Sequence, residues 1–383
     1  MTLWDSYIAP SITEVSDSNP GQIRIAFTDV TARAEAGAAG YAYLPPAGTQ
    51  PLPIHGDIWI DESLKSASFA PESQDFEILL HEAGHALGLK HPFEAPTLPA
   101  GYDSKTYTVM SYTAEDNFFN WSSGVDGISY SVSGTVDFTP MVLDILAIQK
   151  HYGADKSTAK GDTTYAFTDT SLDGRQAIYD AGGRDTIDLS ALSRGSTVDL
   201  RPGAYSDIAH YNVNDQIDDL AAIYGAAFKS FIRDSMTSAG NPAYEWERNV
   251  GLSFSTTIEN AIGSNSADTV IGNDSKNSIR GLGGQDRLDG GKGNDTLVGN
   301  GGSDIFVFAT GRDRDRITDF NASGADHDTI DLSGLKSVAD FNDLQAHHIE
   351  KVDANIVIDG GQGDVLTLVG VKIKTLDASD FDF

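Results

Sequence analysis

Three histidines and one glutamate are spaced for metal chemistry. His81 and His85 lie four residues apart in a stretch, Asp75 to Leu89, where Phe76, Leu79, Leu80, Ala83, Ala86 and Leu87 recur with a helical period. That spacing puts both imidazoles on one helix face, one turn apart, able to grip a single ion. Glu82 sits beside them, about 100° around the helix. Gly88 supplies the left-handed conformation that ends the helix and turns the chain back, so that His91 can complete a three-histidine site. A catalytic zinc takes three protein ligands and keeps one position open, whereas a structural zinc takes four. With no cysteine in the chain, three histidines predict the open kind. The chemistry expected there is metal-assisted hydrolysis without a covalent intermediate. A water on the ion would be acidified toward a pKa of about 7, and Glu82 would take its proton and pass it to the leaving amine.

The elements that must position these groups are readable in outline. Gln22 to Val30 and Gly56 to Asp61 alternate as strands, and Pro140 to Tyr152 fits a second helix through Met141, Leu143, Ile145, Leu146 and Ile148. Near Gly153 the texture changes to short apolar beats punctuated by glycine, which places a domain boundary there. Gly263, Gly272, Gly281, Gly290 and Gly299 then recur every nine residues. Within the same units Asp268, Asn277, Asp286, Asp295 and Asp304 hold position six, and Val270, Ile279, Leu288, Leu297 and Phe306 hold position eight. Each unit reads as a polar turn followed by a short strand with one inward apolar residue. Turns such as Gly290-Gly291-Lys292-Gly293-Asn294-Asp295 set backbone carbonyls and one carboxylate around a hard cation, predicting several calcium ions. Gly284, Gly291, Gly293, Gly302, Asp268, Asp286, Asp295 and Asp304 are the expected participants. Without ions the carboxylates repel and this half is expected to be largely disordered, folding at extracellular calcium. Residues 207–247 interrupt the glycine texture, and Leu220 to Met236 reads as a packing helix inserted in the second half.

Composition narrows the partners. A chain of 383 residues is long enough for two or three domains. The 56 Asp+Glu against 26 Lys+Arg give a net charge of −30, which repels phosphate backbones and anionic membranes. Nucleic acid is not an expected partner. No stretch reaches the roughly 20 apolar residues that span a bilayer, and Met1 to Ser6 lack the basic and apolar regions of a signal peptide, so export would use another route.

The string HEAGHALGLKHP from His81 to Pro92, with Met110 nineteen residues beyond His91 in TVMSYT, resembles the metzincin clan and, within it, the serralysin family of zinc metalloproteases. GYAYLPP at Gly40, GDIWID at Gly56, LDILAIQKHYGA at Leu143 and YDAGGRDTIDLS at Tyr179 resemble serralysin segments in the family's order, so the likeness runs from about Ile12 to the C-terminus. The resemblance implies an α+β metzincin-like catalytic domain over residues 1–152, followed by an all-β parallel β-roll of RTX type over 153–383. It implies a secreted, extracellular endopeptidase acting on protein or peptide substrates, monomeric, with a type I secretion exporter and a proteinaceous inhibitor as partners. Met110 would form an apolar turn beneath the zinc ligands. Tyr112 would bind the metal at rest and stabilise the tetrahedral intermediate when displaced. Gly56 to Asp61 would be the sheet edge along which substrate lies antiparallel. Gly161, Thr163, Asp180, Gly182, Gly183, Asp185, Thr257 and Glu259 match calcium-binding positions, and Asp380 to Phe383 resemble the ending presented to the exporter. The chain starts where the family's catalytic domain is already under way, so an opening strand and much of the first helix are expected to be missing, and no propeptide is recognisable. That feature favours the alternative of a calcium-dependent binding or adhesion protein with an impaired protease domain. A sugar-modifying enzyme with similar repeats would explain the roll but not the three histidines.

Overall fold

The computed structural model describes residues 1–15, 23–30, 38–45, 54–71, 73–114, 116–124, 127–238 and 242–383. Gln22, Pro46 and residues 239–241, which belong to segments read above, lie outside them. The chain forms two compact units: Met1–Thr158 with Asp173–Ala181 and Asn212–Glu245, and Ala159–Leu172 with Gly182–Tyr211 and Trp246–Phe383.

In the first unit, Ile25–Thr28 runs parallel to Ile58–Asp61, and Gly40–Ala42 runs antiparallel to it on the other side. Ile58–Asp61 is therefore the middle strand, not the edge expected from the sequence; Gly40–Ala42 is at the edge. Alternation in a strand reports which face is buried, and Ile58 and Ile60 are each 1% exposed, but it carries no information on how many neighbours pair with the backbone. The helix Gln74–Ala86 begins at Ser73, whose side chain accepts from the Phe76 amide at 3.1 Å. It buries Leu80, Ala83, Gly84 and Ala86. The helix Val142–Tyr152 buries Val142, Ile145 and Ile148 and leaves Leu146 exposed.

A hairpin, Asn117–Gly124 against Gly127–Gly134, sets Trp121 opposite Tyr130. Its apolar face packs on two helices, Val213–Tyr224 and Lys229–Met236. The sequence reads as one helix from Leu220 to Met236, but Gly225 at φ +112° breaks it. Ile217, Ala221, Ile232 and Met236 meet Phe119, Trp121 and Ile128, and this burial groups Asn212–Glu245 with the first unit. A periodic apolar face announces that a partner exists without naming it.

The second unit is mostly parallel strand. Val270, Leu288, Phe306 and Ile330 stand side by side in one sheet, and Ala261, Ile279, Leu297 and Ile317 in another. Successive nine-residue units thus enter alternate sheets, and their apolar residues, all at most 1% exposed, fill the space between. The parallel strands form a β-roll of RTX type. Beyond Ile317, the strands Ile349–Val352, Asn355–Gly361 and Asp364–Leu368 extend one sheet with antiparallel pairs.

Candidate active site and cation columns

The turn that ends the first long helix also builds the histidine cluster. The Gly88 amide donates to the His85 carbonyl and the Leu89 amide to the Gly84 carbonyl, both at 2.9 Å, with Gly88 at φ +102°, a Schellman reversal. It brings His91 back beneath the helix: His91 Nε2 lies 3.1 Å from His85 Nε2 and 3.3 Å from His81 Nε2. The opposite ring nitrogens are all spoken for. His81 Nδ1 donates to the Val109 carbonyl at 2.8 Å, His85 Nδ1 to the Leu89 carbonyl at 2.9 Å, and His91 Nδ1 to Glu94 Oε1 at 2.6 Å. Donation from Nδ1 leaves the Nε2 of each neutral ring as an acceptor, and converging acceptors repel unless a cation sits among them. Burial pushes His81 down to about 3 and lowers His85 as well, so both are neutral, the form that ligates. The donor set is all nitrogen and three in number, one short of the four ligands of a structural zinc, which fits a catalytic transition metal.

The Tyr112 hydroxyl reaches His91 Nε2 at 2.7 Å, and its ring stacks on His81 with centroids 5.4 Å apart. Glu82 is buried at 6% exposure, its Oε2 has no hydrogen-bond partner, and burial pushes its carboxyl up to about 8. A cation at the histidines would draw that value back down and leave a base facing it. Gly40 in the edge strand approaches Glu82 so closely that a Cβ there would stand 3.1 Å from its Cγ.

Met110, 1% exposed, lies under Gly84, where a Cβ would come within 2.6 Å of its Sδ. Its turn is held by a residue that sequence reading missed. Buried Asp144 accepts from Thr108 Oγ1 at 2.5 Å and from the Val109 and Met141 amides at 2.8 Å each. Val109 is the residue whose carbonyl orients His81, so Asp144 acts on the cluster through one turn of backbone. No local signal marks it, because it lies 35 residues along the chain from Val109. Glu94 was equally unread, although it stands three residues after His91.

In the second unit the aspartates form two columns, each joined by amide-to-carboxylate bonds. The Asp268 amide donates to Asp286 Oδ1 and the Asp286 amide to Asp304 Oδ1, both at 2.9 Å, and the Asp304 amide to Asp328 Oδ1 at 3.0 Å. In the other column the Asn277 amide donates to Asp295 Oδ1 at 2.7 Å and the Asp295 amide to Asp315 Oδ1 at 2.9 Å. Asp315 and Asp328 escaped the nine-residue register because the step widens from 18 residues to 20 and 24. Asp286 Oδ2 and Asp295 Oδ2 are buried with no hydrogen-bond partner. Burial pushes Asp286 and Asp295 to about 7 and Asp315 to about 8, as expected where carboxylates crowd without a counter-ion. Gly284, Gly291, Gly293 and Gly302 all have positive φ, and a Cβ on Gly302 would collide with the Gly284 carbonyl. The upstream residues extend the pattern: the Thr163 amide donates to Asp185 Oδ1 and the Asp185 amide to Glu259 Oε2, both at 2.8 Å. Gly183 lies against the Gly161 carbonyl, Gly182 is at φ +130°, and Thr257 is exposed. Asp180 is buried and belongs to the first unit.

The profile of the RTX calcium-binding nonapeptide repeat (4 copies) matches residues 262–297 and 281–315. Metallopeptidase AprA of Pseudomonas marginalis is 34% identical over 374 residues, which is 90% of this chain and 68% of that protein. Serralysin A of Dickeya chrysanthemi is 33% identical over 206 residues, 49% of this chain and 40% of that protein. Serralysin of Photorhabdus sp. (strain Az29) is 32% identical over 241 residues, 56% of this chain and 46% of that protein. The chain therefore spans about two thirds of the AprA relative and less than half of these two serralysins. With AprA matched along nine tenths of the chain and RTX repeats in its second unit, this chain belongs to the serralysin family of metalloproteases.

Proposed function

We propose that the chain is a secreted, extracellular zinc endopeptidase that hydrolyses internal peptide bonds of proteins, with a metzincin-type catalytic domain in the unit that holds Met1–Thr158, to which Asp173–Ala181 and Asn212–Glu245 also belong, and a calcium-stabilised roll in the other unit, rather than a single division at 152/153. The carrying observation is the convergence of three Nε2 atoms whose opposite nitrogens are tied to Val109, Leu89 and Glu94. His81, His85 and His91 would hold zinc, with Tyr112 as a fourth, displaceable ligand. Zinc supplies Lewis acidity toward a water and toward the scissile carbonyl. Glu82 Oε2 takes the proton of the attacking water and delivers it to the departing amide nitrogen, so that one carboxylate serves as base and then acid. The Tyr112 hydroxyl, swung off His91, donates to the oxygen of the tetrahedral intermediate. An extended substrate adds to the free side of Gly40–Ala42, beside Glu82. Asp185, Asp286, Asp295 and Asp304, with the turn glycines and with Gly161, Thr163, Asp180, Thr257 and Glu259, are the calcium-binding set; Asp268, whose two oxygens are taken by Ser196 and Ser264, is left out of it. A type I exporter and a proteinaceous inhibitor are the further partners proposed. The test is casein hydrolysis before and after 1,10-phenanthroline, with zinc added back. Hydrolysis that survives complete removal of transition metal would sink the reading.

A further inference from the structure

Phe93 stands beside the histidine cluster. Its ring lies on the imidazole of His91, centroids 4.9 Å apart and planes 5° from parallel, and 5.6 Å from the ring of Tyr112. Phe93 is nonetheless 48% exposed and Tyr112 66% exposed. One face of Phe93 is used by His91, and the rest of the ring meets Tyr112 in an exposed aromatic corner beside the three converging Nε2 atoms. Glu94, 43% exposed in its side chain, adds a carboxylate next to it. An exposed apolar corner at a reaction centre gains by covering itself with apolar substrate, and the neighbouring carboxylate disfavours an acidic one. We propose that Phe93 sets the side-chain preference next to the scissile bond, taking an aromatic or aliphatic substrate residue against its open ring; this rests on the endopeptidase reading above.

The experiment uses blocked peptides identical except for Leu, Phe or Gln at each residue flanking the cleaved bond, with the parent and Phe93→Leu, Phe93→Ala and Phe93→Gln. At one flanking position the parent should favour the apolar peptide by about tenfold or more in kcat/KM, the size expected of one hydrophobic subsite. Phe93→Leu should keep most of that ratio, and Phe93→Ala and Phe93→Gln should bring it to within about twofold. A uniform loss on all peptides with the ratio unchanged, together with lowered zinc content, would assign Phe93 to supporting His91 and overturn the proposal. A parent inactive on every peptide and on casein would remove the endopeptidase reading itself.

A separate observation concerns the roll. Asp286 and Asp295 each keep one buried oxygen without a partner, but the two preceding turns do not follow them. Asp268 Oδ1 accepts from the Ser196 amide at 2.7 Å, and Oδ2 accepts from the Ser264 amide at 2.6 Å and Ser264 Oγ at 2.9 Å. Asn277 Oδ1 accepts from the Asn273 amide at 2.9 Å, while its Nδ2 donates to the carbonyls of Ile258 and Glu259 at 3.2 and 3.1 Å. Asn273 Nδ2 donates to the carbonyls of Leu200 and Ile258 at 3.1 and 2.7 Å. Both asparagines are buried, at 3% and 0% exposure. Carbonyls that an ion would otherwise collect are satisfied by side-chain amides. We infer that the turns at 263–268 and 272–277 are an ion-free seam between cation-filled turns. Calcium bound per chain at saturation, measured on the whole protein by equilibrium dialysis, tests this. Asp268→Asn should leave the parent's count unchanged, whereas Asp286→Asn or Asp295→Asn should lower it by at least one. A loss of one ion in Asp268→Asn would overturn the seam.

Discussion

The histidine cluster and the aspartate columns solve the same problem with different groups. Each gathers ligands that repel without a cation. In the cluster the groups are imidazoles, and each is aimed by a hydrogen bond from its other nitrogen, to Val109, Leu89 or Glu94. The cost of convergence is facing acceptors, which a packed helix and a glycine reversal can carry. In the columns the ligands are carboxylates, driven toward protonation by burial and by each other, with Asp268 and Asp304 adding to the field at Asp286. A short strand contributes one buried residue, too little to hold such charges together. The difference predicts that the first centre keeps its shape when metal is withdrawn, while the second needs its ions for its fold.

The largest test of that contrast is metal withdrawal read by circular dichroism. Chelating calcium should remove most of the parallel-strand signal, whereas 1,10-phenanthroline should abolish hydrolysis and leave the spectrum essentially unchanged. A roll that keeps its spectrum without calcium would break the comparison. Next in size, Glu82→Ala should lower kcat by about 10²- to 10⁴-fold, with zinc content by elemental analysis equal to the parent's. Undiminished activity would refute Glu82 as the base. Asp144→Ala should weaken zinc binding by about 10- to 100-fold in a chelator competition, because the Val109 carbonyl that orients His81 loses its anchor; an unchanged affinity would show that the turn holds without it.

The smallest effect concerns pH. Asp286, Asp295 and Asp315 have folded-state values near 7, 7 and 8 in the absence of ions, above the unfolded value of about 3.9. Groups raised in this way stabilise the fold below their unfolded pKa and lose that contribution as pH rises through the folded one. Calcium-free protein should therefore regain more parallel-strand signal by circular dichroism near pH 5 than near pH 8. With saturating calcium the order should reverse, since ions require the carboxylates deprotonated. Calcium-free strand signal that rises with pH would count against the columns as charge-strained.

Much of this was written locally. His81, Glu82, His85, Gly88 and His91 fall within eleven residues, and helix geometry with one left-handed glycine converts their spacing into proximity. The repeat was legible for a similar reason, since a constant period makes every unit report on its neighbours. Legibility ended where the period stretched, at Asp315 and Asp328, and where partners were distant, as with Asp144 and the Met110 turn. Gly56 to Asp61 was recognised as a strand but misplaced as an edge, because backbone pairing leaves no imprint on side-chain alternation. The 220–236 stretch announced a buried face, yet its partner proved to be the 117–134 hairpin.

By itself, then, the amino-acid order determined which groups could ligate, their spacing along helix and roll, and the cation demand that follows from so many aspartates set among glycines. Only the tertiary structure decided which nitrogen of each histidine faces inward, which strand lies at the sheet edge, which carboxylate oxygens stay unpaired and where Phe93 lies. The physical reason is range: propensity, period and turn chemistry act over a few residues, whereas tautomer, edge and orphaned charge depend on groups brought together from far along the chain.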